Sequence, residues 1–204
     1  MILEQILSGA MQNFVYLIGD ENSGKAAIID PAQGSRQAVK RAEELGVELE
    51  LVLLTHSHSD HTTELPFFRG LQNIRVAGYP NHKQELDISL SEGQTLELGE
   101  LVIKVLHTPG HTPDSLCYLA EGNLFTGDTL FIAECGRTDF PGGSSRELYH
   151  SIFYKLMALP DDTVIWPGHH YGAKPFNTLK EEKESSYILE KRTEDEFVKF
   201  MGSP

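Results

Sequence analysis

The stretch from Leu53 to Glu64, LLTHSHSDHTTE, places His56, His58, Asp60 and His61 within six residues, directly after an apolar run. In an extended chain, residues two apart point to the same side, so His56 and His58 can bind one ion together. Asp60 and His61 come where the chain turns into the next element, and they can face a neighbouring ion. Imidazole and carboxylate groups are ligands for zinc, iron and manganese. The alternative is a set of surface histidines scattered by chance.

Three further apolar runs also end in a histidine or an aspartate. His111 follows LVIKVLHTPG, Asp128 follows NLFTG, and His169 with His170 follows TVIWPG. Strands hold the loops at one end of a sheet still, so sites are often built there. His111 would complete the first metal position and His169 the second, and the two oxygens of Asp128 could bridge both ions. So many strand ends with the same ligand types argue against chance.

Composition excludes several classes of partner. The chain has 204 residues and a formal net charge of −13, without a dense cluster of Lys and Arg. Nucleic acid and anionic membrane surfaces are bound mainly through such clusters, so neither is an expected partner. No segment is apolar and long enough to cross a bilayer, and the N-terminus does not resemble a signal peptide. Two cysteines, Cys117 and Cys135, suit a reducing compartment, so we expect a cytoplasmic protein.

The order of apolar runs and turn residues predicts a duplicated mixed pattern of strands and helices. Hairpins are predicted for NFVYLIGD with GKAAIIDPA and for DSLCYLA with NLFTGDT. SRQAVKRAEELG predicts a helix that stops at Gly46, SRELYHSIFYKLMAL one amphipathic helix ended by Pro160, and TLKEEKESSYILEKR one charged helix. This pattern favours two mixed sheets with helices outside. No linker rich in Pro, Gly or Ser interrupts it, so we expect a single domain over residues 1–204.

The motifs THSHSDH, TPGHT, FTGDTLF and PGHHYG resemble, in order, the metal-binding motifs of the metallo-β-lactamase superfamily, over nearly the whole chain. The resemblance implies an α+β fold, a four-layer αββα sandwich. IIDPA is similar to an early strand-end motif of the family, which implies that Asp30 supports the ligands. The ligands implied by the resemblance are His56, His58 and His111 at a first site, Asp60, His61 and His169 at a second, and Asp128 as the bridge between them.

One segment indicates which group within the superfamily the chain resembles. CGRTDFPGGSSRELYHSI, soon after Asp128, resembles the glyoxalase II group and its relatives, including the persulfide dioxygenases. Both groups act on glutathione thiol derivatives. His58 stands where the flavodiiron branch has a glutamate, and the cysteine ligand common in secreted β-lactamases is not seen. The chain stops before the extra helical domain of classical glyoxalase II, so it is more similar to the short, single-domain relatives.

Two enzymatic interpretations remain. The favoured one is a glyoxalase II-like thioesterase of the hydroxyacylglutathione hydrolase type. It would use two divalent ions, zinc or else iron or manganese, a metal-bound hydroxide, and the carboxylates of Asp60 and Asp128. The alternative is a persulfide dioxygenase acting on glutathione persulfide, with one Fe(II) held by His56, His111 and Asp128. A metal-bound scaffold without catalysis is the third possibility, but no ligand has been lost.

Substrate residues are less well defined by the sequence. Arg137 and Tyr171 are candidate substrate contacts, although Arg137 could instead form a salt bridge with Asp139 and Tyr171 could simply pack. His82 and His150 lack supporting context, which predicts surface positions. The expected partner is a small thiol-derived substrate of the glutathione type. A homodimer is possible, but no sequence feature supports it.

Overall fold

The computed structural model describes residues 1–202 and contains two mixed sheets of six strands each. The first sheet has the order β1-β2-β3-β4-β5-β6. The neighbours from β1 to β3 pair antiparallel, and the neighbours from β3 to β6 pair parallel. Its strands are β1 (Ile2–Ser8), β2 (Asn13–Asp20), β3 (Lys25–Ile29), β4 (Glu48–Leu53), β5 (Arg75–Gly78) and β6 (Ile88–Ser89).

The second sheet has the order β12-β11-β10-β9-β8-β7. Its neighbouring strands are antiparallel apart from the parallel pair of β10 and β11. Its strands are β7 (Thr95–Leu98), β8 (Leu101–His107), β9 (Leu116–Ala120), β10 (Asn123–Gly127), β11 (Val164–Pro167) and β12 (Asn177–Thr178).

The helices cover the outer faces of the two sheets. One apolar core joins inward side chains of both sheets, including Ile18 and Phe125. A second core packs α1 and α2 on the first sheet, and a third packs α3, α4 and α5 on the second. β2 is buried throughout, because consecutive residues point to opposite faces of the sheet and both faces are covered. Leu17 enters the core under the helices, and Ile18 enters the core between the sheets. The layers confirm the αββα sandwich. The helices are α1 (Arg36–Leu45), α2 (Leu65–Arg69), α3 (Ser145–His150), α4 (Leu179–Ser185) and α5 (Glu194–Met201).

Two predicted helices are less regular than expected. The segment that begins with α3 continues as a π-helical turn, Ser151–Lys155, and a 3₁₀ turn, Leu156–Ala158. The Ser151 hydroxyl there donates to the Pro109 carbonyl oxygen at 2.7 Å, so the helix changes pitch where it contacts the loop before His111. The predicted charged helix ends at Ser185 and is followed by a separate 3₁₀ turn, Tyr187–Leu189.

Three edge strands, the seven-residue β1 and the two-residue β6 and β12, were not predicted. β1, β6 and β12 lie at sheet edges, and β6 and β12 have two residues each, too few for an alternating pattern. Among residues 1–202, no helix combines the length and apolar character needed to cross a bilayer.

Candidate metal centre

The first group of ligand atoms lies where β4, β8 and β10 end. His56, His58, His111 and Asp128 each offer one ligand atom, and these atoms all lie within 4.8 Å of one another. His58 Nδ1 is 3.0 Å from both His56 Nε2 and His111 Nε2. Asp128 Oδ2 is 3.5 Å from His111 Nε2 and 3.9 Å from His56 Nε2. The fold therefore brings together residues that are distant in sequence.

The second group lies beside the first and is formed by Asp60, His61 and His169. The Nε2 atoms of His61 and His169 are 3.0 Å apart, and each is 3.4 Å from Asp60 Oδ2. Asn13 donates to the same Asp60 oxygen at 2.9 Å and fixes the carboxylate. Both predicted ligand groups are thus assembled in the fold.

A hydrogen-bond relay orients His56 and His61 from behind. The Thr55 hydroxyl donates to Asp30 Oδ2 at 2.6 Å, so its oxygen is left to accept from His56 Nδ1, 3.0 Å away. His61 Nδ1 donates to the same Asp30 oxygen at 2.8 Å. Asp30 is buried, which agrees with the supporting role expected for it. Both histidines therefore carry their proton on Nδ1 and present the Nε2 lone pair to the site.

Backbone carbonyls orient two further histidines in the same way. His111 Nδ1 is 2.7 Å from the Arg137 carbonyl oxygen, and His169 Nδ1 is 2.9 Å from that of Met11. A carbonyl can only accept, so the proton is on Nδ1 and the Nε2 lone pair points inward. Lone pairs of His61 and His169 then face one another at 3.0 Å. Between two neutral rings that contact is repulsive, and a proton or a metal ion on one of the nitrogens relieves it, so the residues fit bound metal ions.

The electrostatics of the site also favour a cation. Burial lowers the pKa of His56 well below its ordinary value, so its imidazole is neutral. Burial opposes ionisation of Asp128, but His61 and His169 outweigh it and hold the pKa of Asp128 well below the ordinary range. Burial also opposes protonation of His169, yet the Asp128 and Asp60 carboxylates raise its pKa to about 9. A bound ion would replace such a proton, since metal binding and protonation compete for the same nitrogen.

Asp128 lies between the two groups. Its Oδ1 is buried and has no hydrogen-bond partner within residues 1–202, and it lies 3.3 Å from His61 Nε2. Its Oδ2 is 3.4 Å from His169 Nε2. An unpartnered buried carboxylate oxygen is costly, and a metal ion would remove that cost. This position is compatible with the predicted bridge.

A cleft of about 890 Å³ opens over the ligands. Arg137 and Tyr171 both lie in its wall, as do Phe131 and Phe140. Arg137 forms a two-point ion pair with Asp139, and its guanidinium lies 4.7 Å from the centre of the Phe140 ring. Tyr171 stacks on His169 with ring centres 4.6 Å apart. The salt bridge and the packing that were the alternative interpretations are both present, and substrate contact stays a prediction.

Several residues of the site were not found from the sequence. Thr55 directly precedes the histidine cluster, which was an available signal, whereas Asn13 and Lys83 lie far from any motif. His82, predicted to lie at the surface, is instead buried, and its Nδ1 accepts from the Gln84 backbone N–H at 3.0 Å. It packs against the backbone of its own loop, which a local pattern does not reveal.

The chain is similar in sequence and in fold to known proteins. The sequence profile of the metallo-beta-lactamase superfamily matches residues 8–169. The chain is 34% identical over 212 residues to the persulfide dioxygenase ETHE1 of Homo sapiens, covering 100% of this chain and 81% of that protein. It is 32% identical to BaeB of Bacillus velezensis, named a probable polyketide biosynthesis zinc-dependent hydrolase, over 92% of this chain and 86% of that protein. The crystal structure of ETHE1 from Myxococcus xanthus superposes with a TM-score of 0.94 at 35% identity, covering 100% of this chain and 92% of that one.

Proposed function

The chain belongs to the metallo-β-lactamase superfamily, and we propose that within it the protein is an iron-dependent persulfide dioxygenase acting on a glutathione-type persulfide. The observation that carries the proposal is the similarity to persulfide dioxygenases along the whole chain, in sequence and in fold. This favours the dioxygenase over the glyoxalase II-like hydrolase, which was the preferred interpretation of the sequence. We include a cytoplasmic, reducing location in the proposal, because both cysteines are free.

His56, His111 and Asp128 would hold the iron. Their inward atoms, two imidazole Nε2 and one carboxylate oxygen, form the two-histidine, one-carboxylate set typical of non-haem Fe(II) oxygenases. When bound, Fe(II) would supply open positions for O₂ and a thiolate-type sulfur, together with the redox chemistry that joins them. Overall, a persulfide, O₂ and water give the parent thiol, sulfite and two protons. The terminal sulfur is oxidised, and O₂ takes up the four electrons.

The remaining polar residues would shape the surroundings of the reacting sulfur. His58, Asp60 and His169 line the cleft, and Asn13 holds the Asp60 carboxylate in place. His169 Nε2 lies 3.4 Å from a carboxylate oxygen of Asp60 and from one of Asp128, and these carboxylates would stabilise a proton on it. Phe131 and Phe140 form apolar parts of the wall, which would limit access of water.

A dinuclear thioester hydrolase is the second candidate. The specific observation in its favour is the complete second group of Asp60, His61 and His169, beside a buried Asp128 oxygen that has no hydrogen-bond partner in residues 1–202. Two adjacent ions could share a hydroxide for attack on a thioester carbonyl. The same residues thus support either metal stoichiometry.

Two single variants separate the candidates. His111→Ala removes a ligand of the proposed iron, and His169→Ala removes a ligand only of the second group. If the protein holds one iron, His111→Ala loses the metal while His169→Ala keeps about one ion per chain. If it holds two ions, each variant loses metal relative to the wild type. Metal content by mass spectrometry after anaerobic purification gives the answer, and equal loss in both variants would contradict the proposal.

A further inference from the structure

Apart from the histidines of the metal centre, the cleft wall contains two basic side chains, Arg137 and Lys83. Arg137 is already paired, because Asp139 binds its guanidinium at two points and the guanidinium lies against the Phe140 ring. Hydrogen bonding and charge from Asp139 raise the pKa of Arg137 further above its ordinary value. An anionic ligand would therefore have to compete with Asp139 for Arg137.

Lys83 differs from Arg137 in this respect. It is exposed, and within residues 1–202 no acidic side chain pairs with it. The acidic groups in the same wall include Asp60, Asp128 and Glu134, and the chain as a whole has a net charge of −13. An anionic ligand would meet repulsion over most of the surface. Of the two basic side chains, Arg137 and Lys83, Lys83 is the one that has no acidic partner among the described residues 1–202.

The loop that carries Lys83 is fixed on both sides. His82 is buried, its backbone N–H donates to the Tyr79 carbonyl at 2.9 Å, and its ring accepts from Gln84. The Arg69 guanidinium donates to the carbonyl of Glu85. The backbone at Lys83 is thus held at the cleft, which lowers the entropy cost of placing its ammonium group on a ligand.

We propose that Lys83 binds a carboxylate of the substrate and so selects persulfides whose thiol carrier bears one. The inference rests on the proposed function, because it assigns the substrate end that points away from the reacting sulfur. Glutathione has carboxylates at both ends of a flexible tripeptide, so it fits this chemistry. A neutral or cationic thiol carrier would gain nothing from Lys83.

The test compares three variants with two substrates. Lys83→Gln removes the charge, Lys83→Arg keeps it, and Lys104→Gln makes the same charge change at an exposed strand position outside the cleft. Oxygen uptake is measured with glutathione persulfide and with the persulfide of glutathione diethyl ester, in which both carboxylates are blocked. Calorimetry gives the affinity of the same proteins for glutathione, independently of turnover.

We expect Lys83→Gln to raise KM for glutathione persulfide about threefold to fivefold, the effect of one exposed ion pair, and to leave kcat unchanged. Lys83→Arg and Lys104→Gln should behave like the wild type, and the ester should show the same KM in all four proteins. An unchanged KM in Lys83→Gln, or an equal loss with the ester, would overturn the inference. If the wild type consumed no oxygen, the proposed function would fail, whereas a Lys83-dependent affinity for glutathione would still support the carboxylate site.

Discussion

Asp30 accepts a hydrogen bond from His61, with 2.8 Å between Oδ2 and Nδ1, and both side chains are buried. The same carboxylate accepts from the backbone N–H of Thr55 at 2.8 Å and from its hydroxyl at 2.6 Å. Thr55 in turn holds His56. One carboxylate behind the site therefore sets the ring orientation of a histidine in each ligand group, and the pre-organisation of the site depends on it.

Replacing Asp30 with Asn should weaken metal binding. The side-chain NH₂ of Asn would face donors at either oxygen position. At Oδ2 it would remove the contacts of both the Thr55 hydroxyl and His61, and at Oδ1 it would remove the contact of the Thr55 backbone N–H. Asn tolerates the backbone φ of 52° at this position, which separates the effect from backbone strain. We expect a loss of metal affinity of about 10- to 100-fold, measured by competition with a chelator. Asp162→Asn, at an exposed position, is the control. Equal affinity in both variants would refute the relay.

Replacing Asp128 with Ala should abolish metal binding and activity. Its two oxygens lie within 4 Å of inward nitrogens from both groups, so its loss removes a ligand rather than an outer partner. The loss should exceed the about 10- to 100-fold expected for an outer partner. Metal content and oxygen uptake are the readouts. Retention of both would show that Asp128 is not a ligand.

Gly110 should not tolerate a side chain. Its φ is 140°, and a Cβ there would lie 2.3 Å from the Leu148 backbone nitrogen, so Gly110→Ala would push helix α3 away from the loop that presents His111. Gly46→Ala is the matched control, since φ is 70° there and nothing lies within 4 Å of the added Cβ. The clash should cost Gly110→Ala about 1–3 kcal/mol of unfolding free energy more than Gly46→Ala. Denaturant titration measures the difference, and equal losses would contradict the packing argument.

The stabilisation of the fold by ionised Asp20 should decrease when the pH is lowered. Asp20 Oδ2 accepts from the Glu100 backbone N–H at 2.8 Å and so connects a turn of the first sheet to a turn of the second. This hydrogen bond, with those from Ser23 and Asn22, lowers the pKa of Asp20 from 3.8 to about 2. Because the folded pKa is depressed, the stabilisation is complete well above pH 3.8 and is lost as the pH falls towards 2.

Asp20→Asn should therefore be less stable than the wild type at pH 6, and the difference should shrink as the solution is acidified through this range. Thermal unfolding at a series of pH values, with Asp162→Asn as the control, measures it. A stability difference that stayed constant from pH 6 to pH 2 would assign the effect of Asp20 to something other than its charge.

The ligand groups could be predicted because their signals are local. His56 to His61 follow one apolar strand, and His111, Asp128 and His169 each follow another, so strand ends in the sequence identify the site. The supporting contacts are not local. Asn13 reaches Asp60, and the Met11 carbonyl reaches His169, across large separations in the chain. The first pair follows from the strand order within the first sheet and the second from the packing of the two sheets, and no motif encodes either.

The fold likewise contains elements that a local pattern predicts and elements that depend on contacts between distant residues. β2 and β4 have clear apolar runs, and α1 has a periodic pattern with Gly46 at its end, so they were predicted close to their observed bounds. β6 and β12 have two residues each and exist because a neighbouring edge offers hydrogen bonds. The π-helical turn after α3 begins at Ser151, whose hydroxyl donates to the Pro109 carbonyl oxygen, a contact distant in sequence that a local pattern does not reveal.

The most direct test of the central claim combines metal content and activity on protein purified without oxygen. Oxygen uptake with glutathione persulfide and hydrolysis of S-lactoylglutathione are measured side by side on the same preparation. The proposal predicts about one iron per chain and persulfide-dependent oxygen uptake. About two metal ions per chain, with thioester hydrolysis and no oxygen uptake, would contradict it and support the dinuclear hydrolase instead.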